Sequence, residues 1–131
     1  MVYCKLRFLN KKMINIEDFK KVELVVGKIL SAEKIPNTDK LLKLSVDLGP
    51  TQELVGEEEK RDIRQIVSGI ALYFPDCFIL VGKKCMFVAN LEPRVIKGYE
   101  SNGMILAVST EDGNFSLLEP NGTISVGAKA R

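Results

Sequence analysis

An all-β fold, with five strands closed into a small barrel, a short helix between the third and fourth, and a strand hairpin at the C-terminus, is predicted by three observations. Leu42, Leu44, Val46 and Leu48 alternate with Lys43, Ser45 and Asp47, the pattern of a half-buried strand. The apolar runs are short and are punctuated by turn sequences such as Pro36-Asn37-Thr38-Asp39 and Pro120-Asn121-Gly122. The chain has 131 residues, enough for one domain with its own core and too few for two.

Each element follows in order. Residues 1–13 carry four cations (Lys5, Arg7, Lys11 and Lys12) and no acid, and they are expected to be a disordered leader or to precede a start at Met13. The domain then runs over residues 14–131. Asn15 before Glu17 and Asp18, with Ile16 and Phe19 three apart, predicts one capped helical turn that plugs something apolar. From Val22 the period is two and changes phase after Gly27, which predicts a long first strand bulged at that glycine. The second strand is 42–48, and the third returns over Arg64–Ser68 after an acidic tip. The run 69–74 ends before Pro75 as a short helix would. Lys83–Ala89 and Gly103–Ser109 supply strands four and five. The segments 115–119 and 123–127 then flank an Asn-Gly step and predict a final hairpin. Such a set describes a partly open barrel of the oligonucleotide/oligosaccharide-binding kind (OB-fold). Phe87, Phe74, Tyr73 and Cys85 are expected in its core.

Composition excludes several functions. There is no histidine, no Cys-x-x-Cys among the three cysteines, no phosphate-cradling Gly-Lys-Ser/Thr loop and no Gly-x-Ser-x-Gly, so no catalytic residues, metal site or cofactor are expected. No stretch has the ~20 apolar residues of a membrane span and no signal peptide is evident, which makes the cytoplasm the expected compartment. Net charge is only +2, and residues 53–62 hold five carboxylates against two cations, read as a solvated hairpin tip. A polyanion site must therefore come from local clustering of cations.

The most informative local mixture is at residues 93–107. Arg94 and Lys97 supply charge, Ser101 and Asn102 neutral donors and acceptors, and Gly98 and Gly103 freedom for sharp turns, immediately before an apolar strand. Phosphate oxygens and base edges suit that mixture. An ordinary solvated hairpin connection has the same composition. Lys40 and Lys43 add cations whose value is collective, through counterion release.

Several stretches in register, IEDFKKVELVVGKILSAEKIP, DKLLKLSVDLG, RQIVSGIALYFP, LVGKKCMFVANLEPRVIKGYESNGMILA and the terminal GAKAR, together resemble the tRNA-binding domain family. That domain occurs as a small free-standing tRNA-binding protein and at the C-terminus of methionyl-tRNA synthetases. The resemblance implies an OB-fold barrel that dimerises through its C-terminal hairpin and other strands outside the barrel. It implies a non-catalytic module that binds tRNA without strong sequence preference, alone or with methionyl-tRNA synthetase. It places Ser101 and Met104 at the RNA, with Lys40, Arg64, Asn90 and Arg94 in or beside shared motifs. A relative of the fold acts as a secretion chaperone, so a peptide-binding protein is the alternative. Val25 stands where the family tends to have a cation, Asn102 where it has glutamate, and the acidic insertion at 53–62 must point away from RNA.

Overall fold

The computed structural model describes residues 12–55 and 58–131. The expected leader therefore lies almost wholly outside the described residues. Among the described residues, one helical turn, α1 (Ile16–Phe19), precedes nine strands: β1 (Leu24–Lys34), β2 (Leu42–Val55), β3 (Glu58–Ser68), β4 (Lys84–Val88), β5 (Arg94–Ile96), β6 (Tyr99–Ser101), β7 (Met104–Ile105), β8 (Ala107–Ser109) and β9 (Phe115–Leu117). The main sheet has the order β3-β2-β1-β4-β7, all antiparallel, and curls into a half-barrel.

The alternating leucines of β2 place Leu42, Leu44 and Val46 wholly inside, where they meet Ile29, Ile66, Leu80, Cys85 and Phe87. Phe87 is the largest fully buried side chain. Its ring passes over Gly27, where an added Cβ would lie 2.7 Å from it, so that glycine makes room for an aromatic. The expected bulge is in β1 but sits two to three residues later, between Ile29 and Ser31. β1 pairs with β4 over residues 24–28 and with β2 over residues 28–34, so the two partners overlap at Lys28 just before the bulge.

Beyond Asp47, β2 leaves β1, and the C-terminal tail takes its place. Gly127 N–H donates to the Val26 carbonyl (2.8 Å), Val26 N–H to Ala128 (2.9 Å), and Ala130 N–H to Leu24 (2.8 Å). Val25 is thus buried and bridged to Lys129, so this position turns inward, away from any ligand in solution. Gly49 and Gly127 cross at this junction with positive φ angles of 103° and 95°.

Four expectations change. The final hairpin is formed by β8 and β9 around the 110–114 turn, and 123–127 is not a strand, because Phe115–Leu117 pairs back onto Ala107–Ser109. Between β3 and β4 stand two 3-10 turns, Ala71–Tyr73 and Cys77–Leu80; Pro75 separates them and Asp76 caps the second through Phe78 N–H (3.2 Å). Tyr73 is half exposed and stacks on Phe115 with centroids 4.0 Å apart, because β9 and not the core lies beside it. Finally, α1 is capped as expected, Asn15 accepting from Asp18 N–H (2.8 Å), yet none of its residues is buried. Leu117 is itself in the core, so β9, which pairs with β8 in a sheet of its own, packs firmly on the barrel.

Cys77 and Cys85 are buried free thiols. Burial, reinforced by the Glu119 carboxylate, raises the Cys85 thiol from 9.0 to about 11. The unfolded chain loses this proton first, so the stabilising contribution is complete below pH ~8.5 and is lost as pH rises toward 11. At about pH 8 a thiol reagent should label neither residue in native protein and both in denaturant, read by peptide mass spectrometry. Fast labelling of native Cys85 would contradict its burial.

Candidate nucleic-acid interface

The barrel is closed by side chains and by isolated backbone bonds. β3 is an edge strand of the main sheet, and its unpaired backbone groups face the loop that leads into β7. The Ser101 hydroxyl accepts from Val67 N–H (3.0 Å) and donates to the Gly103 carbonyl (3.2 Å); Asn102 N–H donates to the Gln65 carbonyl (2.9 Å); the Gln65 amide donates to the Glu100 carbonyl (2.9 Å). Arg64 adds a second tie: its guanidinium forks onto Asp62 (3.1 and 3.0 Å) and donates to the carbonyls of Ala89 and Asn102. Asn90 accepts from Glu23 N–H (2.8 Å) and donates to the Lys21 carbonyl, which fixes the segment leading into β1. These hydrogen bonds satisfy polar groups that would otherwise be costly to bury.

Anchored on this seam, β5 and β6 form a hairpin whose two-residue turn is Lys97-Gly98, with φ of 51° and 86°. Two positive φ values describe a type I′ turn, whose twist matches that of paired strands. Lysine is held left-handed there at a cost of about 1–2 kcal/mol, while its ammonium projects from the tip. Lys97→Asn, which suits this conformation, should raise stability by up to about 1 kcal/mol and weaken RNA binding. Thermal melts and mobility shifts would read the two opposed effects, and unchanged RNA affinity would remove Lys97 from the interface.

Among the described residues, four cations of the hairpin and the β1–β2 turn have no ion pair. Lys34 ends β1, Lys40 lies on the β1–β2 turn, Arg94 opens β5 opposite Ser101, and Lys97 is exposed at the tip. Lys43 is shared: it stands 3.4 Å from Glu33 and 5.4 Å from the centre of the Tyr99 ring, so it supports that ring as much as it offers charge. By contrast, Arg61 is forked onto Asp47 (3.2 and 2.9 Å). The backbone of the β2–β3 hairpin runs away from Lys43 toward Val55 and Glu58, while Asp62, the last acid of the 53–62 segment, is held by Arg64 at the seam.

The residues singled out in the sequence thus divide. Arg64, Asn90, Ser101 and Asn102 gather at the seam, with Met104, half exposed, beside Val88 at its end. Arg94 and Lys97 extend outward from it, Lys43 joins through Tyr99, and Lys40 stands apart on its turn. Ser101 is 4% exposed, and its hydroxyl is committed to backbone. Gln65 was not anticipated: only its place in the alternation of β3 marks it, and nothing local shows that its amide spans to Glu100.

The family described as a putative tRNA binding domain matches residues 24–129. A methionine–tRNA ligase of Methanoregula boonei is 50% identical over 120 residues, covering 91% of this chain and 16% of that protein. The chain therefore spans about one sixth of the length of such relatives. Among solved structures, a methionyl-tRNA synthetase-related protein from Pyrococcus horikoshii superposes with a TM-score of 0.76 at 39% identity, covering 92% of this chain and all of that one. The chaperone CsaA of Bacillus anthracis gives 0.72 at 27% identity, with coverage of 92% and 100%. The barrel, its seam and these matches agree that the chain belongs to the tRNA-binding domain family.

Proposed function

We infer that the protein is a non-catalytic module that binds tRNA by shape and backbone, with little sequence preference, and raises the tRNA affinity of methionyl-tRNA synthetase in the cytoplasm, either joined to it or acting in trans. The observation that carries this reading is the match of residues 24–129 to a tRNA-binding family; Arg94 and Lys97 on the hairpin and Lys34 and Lys40 at the β1–β2 turn, without ion pairs among the described residues, support it. Cations held this way neutralise phosphates and release counterions without reading bases. Lys43, Asn102 and Met104 complete the surface, while Arg64, Asn90 and Ser101 act through the position of the loop. A homodimer doubles the face and adds avidity. Val108 of β8 and Ile16 of α1, 58% and 61% exposed, supply apolar surface for such pairing.

Arg94→Ala and Lys40→Ala should each lower affinity for all tRNAs alike and reduce the salt slope by about one unit. Mobility shifts with bulk tRNA at several salt concentrations would measure this, and unchanged slopes for both variants would refute the interface. The likeness to a chaperone, together with Leu72 and Phe78 at 62% and 76% exposure, supports the second reading, peptide binding. In that case binding should be insensitive to salt.

A further inference from the structure

Beside the hairpin surface, the β1–β2 turn and the first 3-10 turn enclose an open cleft of about 340 Å³, within the size range of small-molecule sites. Leu41, Leu72 and Pro75 give it apolar walls; Lys34, Thr38 and Asp39 give it polar ones.

The turn is built to hold its shape. Asn37 is left-handed with φ 65° after Pro36, and Thr38 N–H donates to the Ile35 carbonyl (3.4 Å). The Thr38 hydroxyl donates to the same carbonyl (3.3 Å) and accepts from Leu41 N–H (3.4 Å). Ile35 N–H donates to the Leu41 carbonyl (3.2 Å), and Ala71 N–H donates to the Lys40 carbonyl (2.9 Å), which couples the turn to the opposite wall. Every group named so far satisfies the protein itself. Asp39 and Lys34 do not: among the described residues neither side chain has a hydrogen bond or an ion pair, and both border the cleft.

We propose that this cleft is a subsite for one unpaired guanine nucleotide of the bound RNA. The proposal rests on the RNA-binding reading above and goes beyond it, since a phosphate-tracking surface has no need of a base pocket. A splayed base is a flat apolar slab with hydrogen-bonding edges. Leu72 and Pro75 take its faces, and Lys34 with neighbouring Lys40 takes its phosphates. The carboxylate of Asp39 selects the base. Guanine presents N1–H and N2–H side by side, a pair of donors that a carboxylate accepts together; adenine, cytosine and uracil present no such pair. The same carboxylate repels phosphate, which orients the nucleotide with its base toward Asp39 and its backbone toward the lysines.

The test uses the whole chain and short uridine hexanucleotides carrying one central guanine, adenine or cytosine, followed by fluorescence anisotropy at fixed salt, with bulk tRNA in parallel. The guanine oligonucleotide should bind roughly tenfold more tightly than the other two. Asp39→Ala should erase that difference and leave base-independent binding, and Leu72→Glu should weaken all three. Both positions are exposed, and circular dichroism would verify folding. Equal affinity for the three bases, or a guanine preference that survives Asp39→Ala, overturns the proposal. Binding of tRNA without binding of any oligonucleotide also overturns it and leaves the tRNA-binding function standing. Binding of neither removes that function and the subsite with it.

Discussion

Gly49→Ala should destabilise the barrel by about 3–5 kcal/mol, the largest loss expected from any single methyl group in this chain. Two costs combine. At φ 103° an L-residue is strained by ~1–3 kcal/mol. The added Cβ would also lie 2.7 Å from the Cα of Gly127, a backbone atom that cannot rotate aside. The tail relieves the clash only by leaving β1, which forfeits its bonds to Val26 and Leu24 at ~0.5–1.5 kcal/mol each. Denaturant unfolding would measure the loss, and hydrogen exchange should show Val26 and Ala130 unprotected. A loss below about 1 kcal/mol would mean that the crossing is looser than the geometry requires.

Ser101→Ala should cost about 1–3 kcal/mol, because it leaves the buried Val67 N–H with no acceptor. Its effect on RNA is the more informative result. With the seam loosened, Asn102 and Met104 lose their placement, so tRNA affinity should fall together with amide protection at Val67 and Asn102. The substitution separates two roles for the hydroxyl. Reduced affinity with stability and protection unchanged would place Ser101 in direct contact with RNA and overturn its assignment to the seam.

The sequence conveyed the barrel through its alternation. Leu42 to Leu48 had to lie half buried, and Phe87 within an apolar run had to be core. Asn15 marked its helix because a cap is a contact over three residues. Closure was not legible in this way. Ser101 meets Val67 across 34 positions and Arg64 reaches Ala89 across 25, and a polar loop residue looks the same whether it faces a phosphate or a backbone carbonyl. Ser101 stood out through its polar loop, and Arg64 and Asn90 through the family resemblance; each also makes hydrogen bonds within its own chain, which sequence alone does not reveal. The last hairpin failed for a related reason. Both 110–114 and 120–122 are good turns by composition, and only the burial of Leu117 decides between them. The phase change in β1 was real, but Gly27 turned out to serve a passing ring, and the bulge fell beyond it.

Because Ala130 hydrogen-bonds to Leu24, the last residues run beside the first strand. Trimmed to residues 21–131, the domain can be closed by a few glycines and reopened at the exposed 110–114 turn to give a circular permutant with every barrel pairing retained. Its new ends would emerge at the exposed 110–114 turn, which makes the rearranged domain a scaffold for probes or fused enzymes.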